Sequence, residues 1–392
     1  MDPIEAWHGL LGQGDELSPA FSASLTAAMR ARKLTFGDRV HCPFLRPFFL
    51  TAADEARIRT AAETIAALGE RVARVAMESP RLFHDLGVTE AEERLIRIDP
   101  GYATASTASR LDAFLLPDSL RFAEYNAESP AGPAYTQRLC ELFDDLPVMS
   151  RFKQNRTVRF HRTITVLLDA LLASYREWGG RASPPVVAIV DWRDVPTWSE
   201  FEIIRDAFDA AGVPALVCDP RELSFDGRVL TAGDRRIDLV YRRVLLNDIV
   251  ARPADCSALV RAYEGRAVCV ANTFRCKLPH KKAFFAVLTD SEHAGLFSEV
   301  ERSVVRAHVP WTRLVADVET EKDGRRGPLL EIARRQQNQL VLKPNDEYGG
   351  KGVLLGWEVS PGAWDEALQT TLRDPPGSWI VQERIEVRRE IF

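Results

Sequence analysis

Residues 340–356 read LVLKPNDEYGGKGVLLG, and this stretch decides the fold. An apolar run ends in Lys343, a loop carries Gly349, Gly350 and Gly352, and a second apolar run returns. Glycines let a backbone approach an anion closely and turn its N–H groups toward phosphate oxygens. Lys343, at the end of a strand, adds a fixed point charge suited to an α- or β-phosphate. With strands on both sides and neither GK[ST] nor GxGxxG, the loop is neither a Walker loop nor a Rossmann turn. Taken alone it reads equally well as a hairpin with a glycine-rich turn.

The residues after the loop favour the phosphate-binding reading. Residues 364–372 have helical spacing, and SWIVQERIEV (378–387) is a strand running into Gln382, Glu383, Arg384 and Ile385. A strand–loop–strand–helix–strand unit of this kind resembles the ATP-grasp superfamily. The resemblance implies that Lys343 and the glycine loop cover the phosphates of ATP. It also implies that the last strand is the hinge along the adenine edge, so that Gln382, Glu383 and Ile385 line the base pocket and Glu386 serves the ribose. A second phosphate lysine is expected upstream. Lys282 in LPHKKAFFAV (278–287) matches it, with Lys281 beside it as the alternative.

Ordinary ATP-grasp enzymes carry their magnesium carboxylates after the hinge. Here residues of that chemistry lie early, in SRLDAFLLPDSLRFAEYNAESPAG (109–132). Pro117, Asp118 and Ser119 read as a three-residue loop between two strands, which pairs Leu116 with Leu120. In that register Asp112 faces Glu124 and Arg110 faces Asn126, with Phe114, Leu116, Leu120 and Phe122 continuing the same face. Carboxylates directly opposite one another repel. A hard divalent cation would relieve that repulsion and use the oxygens of Asp112, Glu124 and Asn126. The plainer alternative is a polar network on a sheet edge.

The hairpin also resembles the synthetase domain of glutathionylspermidine synthases and related circularly permuted ATP-grasp proteins. Those carry an R-x-D strand followed by an E-Y-N strand at the same spacing. VYRR (240–243), VPWTR (309–313) and the glycine loop extend the likeness from about residue 95 onward, whereas the amidase segment fused to some of those synthases has no counterpart. The resemblance implies an α/β (α+β) ATP-grasp fold in permuted order, with a small parallel-sheet pre-ATP-grasp domain. Asp112, Glu124 and Asn126 would hold Mg²⁺, Arg110 would touch the reacting phosphoryl group, and Arg110 and Lys343 would be the catalytic pair. The implied chemistry is carboxylate activation by ATP. A small-molecule or peptide carboxylate attacks the γ-phosphorus, and an amine acceptor then displaces phosphate from the acyl phosphate to form an amide. Arg193, Arg242 and Arg243 are candidate holders of the substrate carboxylate, since arginine offers a bidentate fork; surface ion pairing is the alternative. A phosphotransferase, or a non-catalytic nucleotide- or partner-binding protein on the same scaffold, are the competing functions.

Three parts are expected: residues 1–155 with a helical segment and the hairpin, 156–271 as the pre-ATP-grasp-like domain, and 272–392 with the glycine loop and hinge. Residues 1–50 read as irregular. Thr51 opens a helix with Ile58, Ala62, Ile65, Leu68, Val72 and Val75 in one stripe. An amphipathic helix near 160–178 ends at Gly179 and Gly180, a boundary signal. Strand and helix then alternate. VVAIV (186–190) is a buried strand, Ser199 and Glu202 form a capping box, Gly212 closes that helix, and Asp226 with Gly227 marks a hairpin. IDLVYRR and RAVCVAN are further strands of a parallel sheet. No glycine fingerprint follows its first strand, so it is not read as a dinucleotide site.

Composition narrows the function classes further. With 46% hydrophobic and 27% charged residues the chain has an ordinary globular make-up, and its net charge of −5 argues against a nucleic-acid surface. No apolar run reaches the roughly 18 residues of a membrane span, and the N-terminal residues lack the pattern of a secretion signal. The six cysteines form no CxxC pair, so neither zinc nor a redox motif is indicated and a reducing, cytoplasmic setting is expected. The oligomeric state stays open.

Overall fold

The computed structural model describes residues 2–42 and 44–387. Val187–Val190, from VVAIV, is buried at every position. It lies between Leu239–Arg242 and Ala215–Cys218, with Cys269–Ala271 beyond the former, and every pair is parallel. Parallel pairing demands crossovers, which puts helices on both faces and makes the strands apolar throughout. Ala188, Val190, Val240 and Val270 turn to a core shared with Ile65, Leu68 and Val72 of Ala52–Ala76. Val187, Ile189, Leu239 and Tyr241 turn the other way, onto Leu167 and Leu171 of Thr163–Glu177 and Phe201 and Ile204 of Trp198–Ala210.

Several local signals act as read. Thr51 and Asp54 make the capping box of Ala52–Ala76, and Asp226 Oδ1 accepts the N–H groups of Arg228 and Val229 at the hairpin turn. Two do not. The helix Trp198–Ala210 has no side-chain cap, because the Ser199 hydroxyl is bound to Thr35 O (2.9 Å) and Tyr135 Oη (2.8 Å). The irregular reading of residues 1–50 also fails for their first part. Pro3–Leu11 and Pro19–Ala31 are helices, started by Asp2 and Ser18 caps with proline in first place.

A second sheet is antiparallel, in the order Thr312–Leu314, Trp379–Glu383, Leu340–Pro344, Leu354–Leu355. Alternation divides it into two faces. Leu340, Leu342 and Val381 pack on Leu329 of Leu329–Arg335 and on Trp364 and Leu368 of Pro361–Thr371. Val341, Lys343 and Gln382 point the other way and line a cleft.

The strands Arg110–Leu115 and Leu120–Asn126 pair as an antiparallel hairpin that faces the same cleft. Leu116 and Ser119 exchange both backbone hydrogen bonds, so the loop has two residues, Pro117 and Asp118, rather than three. Pairing near the tip is therefore Leu115 with Leu120 and Ala113 with Phe122. Ala123 is then an extra residue, a β-bulge, beyond which Asp112 faces Glu124 and Arg110 faces Asn126. The bulge cancels the one-residue shift of the shorter turn. It also corrects the reading of the apolar residues. Leu120 and Phe122 face the core beneath the hairpin, Leu116 lies outside the strands, and Phe114 is 41% exposed. The base of the hairpin is tied to the parallel sheet by Asn272, whose amide donates to Ala108 O, Ala127 O and Glu128 O at 2.7–2.9 Å.

Candidate active site

Three separate stretches of chain converge on one cleft of about 520 Å³. The hairpin brings Asp112 and Glu124, the start of Ala283–Thr289 brings Lys282, and the antiparallel sheet brings Lys343 and Gln382. Gly350, Glu383 and Ile385 complete the sequence-derived residues lining it. Its lining mixes two chemistries: Asp112, Glu124, Lys282, Lys343, Glu347, Lys351 and Glu383 are charged, and Phe114, Val341, Val353, Leu355, Trp357, Ile385 and Val387 are apolar. Its size and mixed lining suit a ligand with an apolar part and a charged part.

Lys282 Nζ lies 3.3 Å from Glu124 Oε2 and donates to Glu347 O at 2.5 Å. Lys343 Nζ donates to Gln382 Oε1 at 2.7 Å, and Gln382 Nε2 donates to Thr312 Oγ1 at 3.1 Å. Burial pushes the Lys343 ammonium down to about 8, with Lys282 acting in the same sense and Glu124 against it. Burial alone would raise the Glu124 carboxyl, but Lys282, the Asn126 amide and Lys343 outweigh it and hold it below its ordinary range. Arg110 grips Asp112 through Nε (2.6 Å) and Nη2 (3.1 Å), and its Nη1 reaches Ala131 O at 2.9 Å.

No group of three or more His, Cys, Asp or Glu suited to a metal occurs among the described residues. The hairpin offers instead two carboxylates and an amide. Asn126 gives its Nδ2 to Glu124 Oε1 at 3.0 Å, which leaves its amide oxygen as a donor to an ion. Hard oxygens of this kind, with one carboxylate kept anionic, fit Mg²⁺ in chemistry. The charges of the two carboxylates are met by Arg110 and Lys282.

Gly349, Gly350 and Gly352 all have positive φ (68°, 75° and 73°), the left-handed conformation that glycine adopts without strain. Gly349 and Gly350 stand over open space, whereas Gly352 packs on Pro344. The backbone of Gln382 is paired on both sides, with Thr312 and Val341, so its side chain is what it offers the cleft. The Glu383 carboxylate is bound by Lys322 Nζ at 3.0 Å. Glu386 is exposed and outside the cleft lining. Lys281 turns away from the cleft, to Asp346 and Glu92.

Neither buried arginine of VYRR is free to hold a substrate. Arg242 is 0% exposed and spent on Glu128 and on the carbonyls of Asn272, Val244 and Thr273. Arg243 is buried against Pro130 O and Tyr241 Oη, and Arg193 pairs with Glu222 at the surface. Trp357, with Arg384 stacked 4.0 Å over its ring, and Asp346 were not singled out from sequence. An aromatic two residues after a short strand, and one acid among many, carry no spacing signal.

No family model matches the chain. A Frankia alni protein provisionally named glutamate–cysteine ligase 2-3 is 28% identical over 276 residues, which is 66% of this chain and 29% of that protein. A Frankia casuarinae protein provisionally named glutamate–cysteine ligase 2-2 is 24% identical over 57% of this chain and 25% of its own. The matched stretch thus spans less than a third of the length of either relative. Among solved structures, a glutathione synthetase-like effector from Globodera pallida, in its apo form, superposes with a TM-score of 0.61 at 13% identity, covering 99% of this chain and 83% of that one. The chain therefore shares the mixed helix-and-sheet fold of that glutathione synthetase-like protein.

Proposed function

We propose that the chain is an MgATP-dependent carboxylate–amine ligase on a circularly permuted ATP-grasp scaffold. The observation that carries this reading is the convergence of Asp112, Glu124, Lys282 and Lys343 on one cleft whose lining also includes the apolar Trp357, Leu355 and Ile385. The ligase names of the distant relatives support the reaction class.

In this reading the adenine ring lies against these apolar residues and the phosphates extend to Lys282 and Lys343. Two ammoniums on rigid elements neutralise phosphate charge without reorganising at the moment of transfer. Bound at Asp112, Glu124 and Asn126, magnesium would shield the transferring phosphoryl group. Arg110, held in place by Asp112, then stands beside the γ-phosphoryl group for a substrate carboxylate that attacks it. The glycine loop covers the site, since water would hydrolyse the acyl phosphate before an amine reached it.

The test is ADP release by the purified protein with ATP and Mg²⁺, against a panel of amino acids, peptides and polyamines. ADP formed only when one acid and one amine are both present establishes the ligase. A phosphorylated product that accumulates without amine converts the assignment to a phosphotransferase. ATP binding with no turnover on any pair makes the protein a nucleotide-binding module, and no ATP binding removes the reading.

A further inference from the structure

Outside the cleft, six charged side chains form one internal chain of contacts. Arg242 Nη1 meets Glu128 Oε1 at 2.9 Å, and Glu128 Oε2 meets Lys277 Nζ at 3.1 Å. Lys277 Nζ meets Asp346 Oδ1 at 2.6 Å, Asp346 Oδ2 meets Lys281 Nζ at 3.0 Å, and Lys281 meets Glu92 Oε1 at 3.1 Å. The Arg242, Glu128 and Lys277 side chains are at most 1% exposed, and Lys281, Glu92 and Asp346 are 3%, 5% and 19% exposed. Signs alternate along the chain and the charges cancel, the condition under which buried ions are tolerated. His280 flanks Glu128 and Asp346 at 3.8 and 4.0 Å. Its burial, with Lys277 nearby, pushes its imidazole down to about 4, so it adds no charge near neutrality.

Asp346 is where this ladder meets the glycine loop. It follows Lys343 by three residues and precedes Gly349 by three. Its neighbours are fastened to the Lys282 segment as well. Asn345 O accepts the Lys282 N–H at 3.0 Å, Asn345 Oδ1 accepts the Ala283 N–H at 2.8 Å, and Glu347 O accepts Lys282 Nζ. Asn345 Nδ2 donates to Leu86 O and Gly377 O on the far side. Past this point the loop is open: Tyr348 is 67% exposed and the Lys351 side chain 77%. The loop thus has a clamped stem and a free tip.

We propose that Asp346 is a positioning residue: gripped by Lys277 and Lys281, it locks the stem of the glycine loop to the segment bearing Lys282. Lys282 and Lys343 are thereby presented to the phosphates as one rigid pair, and only the tip moves over the ligand. This deepens the nucleotide reading and rests on it for one of its two readouts.

The test compares wild type with Asp346→Asn by hydrogen exchange and by titration with AMP-PNP and Mg²⁺. Asp346→Asn should speed exchange at the Lys282 and Ala283 amides and in residues 345–347, leave Val187–Val190 and Leu239–Arg242 unchanged, and weaken AMP-PNP roughly tenfold or more. Unchanged exchange at the stem overturns the proposal. So does a rise spread evenly over all strands, or local loosening with full AMP-PNP affinity. If wild type itself binds no AMP-PNP, the nucleotide reading fails while the exchange comparison still decides the clamp. Lys281→Met, which leaves Lys277 on Asp346, serves for the same comparison if Asp346→Asn does not fold.

Discussion

Lys282 Nζ stands 3.3 Å from Glu124 Oε2, and this contact joins the hairpin to the segment fastened under the glycine loop. It brings an acid and a base 158 residues apart in sequence (282 − 124) into the lining of one cleft. The ammonium serves as the carboxylate's counter-charge. On the proposed reading, the lysine would turn to phosphate and the carboxylate to magnesium.

Glu124→Gln should therefore separate function from fold. The exchange keeps the size of the side chain and an oxygen near Lys282 while removing the charge that attracts a divalent ion. Turnover with Mg²⁺ and ATP is expected to fall roughly 100-fold or more. Lys282 keeps Glu347 O as an acceptor, so urea unfolding should shift by less than the roughly 3–5 kcal/mol of breaking a fully buried pair. Asp112→Asn should behave alike, with Arg110 released from its bidentate grip. Near-normal ADP release in both variants would remove the hairpin from the site.

Lys343 sets a pH dependence of unusual sign. Its folded-state value of about 8 lies below its ordinary 10.5, so the unfolded chain binds more protons between those values and stability rises with pH across that window. If Lys343 holds phosphate as proposed, nucleotide affinity runs the other way, since the ammonium is lost as pH rises through about 8. Calorimetric titration with AMP-PNP from pH 7 to 9.5 should show weakening that Lys343→Met, already weak at pH 7, does not show. A flat wild-type profile would remove Lys343 from phosphate contact.

The glycines of the loop are not equivalent. A Cβ on Gly352 would stand 2.8 Å from Pro344 Cγ at a φ of 73°, whereas one on Gly349 meets nothing within 4 Å. Gly352→Ala should cost about 2–3 kcal/mol from strain and crowding together, and Gly349→Ala about 1 kcal/mol from backbone conformation alone. Thermal melts of the two variants check the order, and equal shifts would mean that the loop relaxes around residue 352.

Elements with a regular period were the most legible in the sequence. The buried strand at Val187, the helix behind Thr51 and the parallel sheet follow from side-chain spacing that tertiary packing reinforces. The opposition of Asp112 and Glu124 was also legible, but through the wrong turn. Whether Pro117 and Asp118 close a two- or a three-residue loop is a local choice, and the compensating bulge at Ala123 leaves no mark in a hydrophobic pattern. Ser199 and Glu202 had the spacing of a capping box, yet Tyr135 and Thr35, remote in sequence, claimed the serine hydroxyl. The arginines of VYRR show the same limit: nothing local reveals that Glu128, more than 100 residues away, sits beneath Arg242.

That last pair gives a prediction opposite to the one a substrate-holding arginine would give. A surface arginine that binds substrate could be replaced at little cost in stability and a large cost in substrate affinity. Arg242 is fully buried against Glu128, and Arg242→Met leaves that carboxylate with Lys277 and the Leu246 N–H. Breaking a buried pair from one side costs about 3–5 kcal/mol. The acid limb of the stability curve should move as well. Burial would raise the Glu128 carboxyl, but Lys277 and Arg242 outweigh it and hold it at about 2, below its ordinary 4.5. Its contribution is therefore complete above about 4.5 and lost as pH falls toward 2. His280, held at about 4 against an ordinary 6.5, costs stability over a higher window, because the unfolded chain takes up its proton first. Asp191, a buried carboxyl pushed up to about 7, works against His280 over that window, so wild type should weaken chiefly below 4.5. Arg242→Met, with Glu128 less firmly ionised, should begin that loss at higher pH. Urea unfolding of both proteins from pH 7 to 3 measures this directly. A variant as stable as wild type, with the same acid limb, would show that Arg242 does not anchor Glu128.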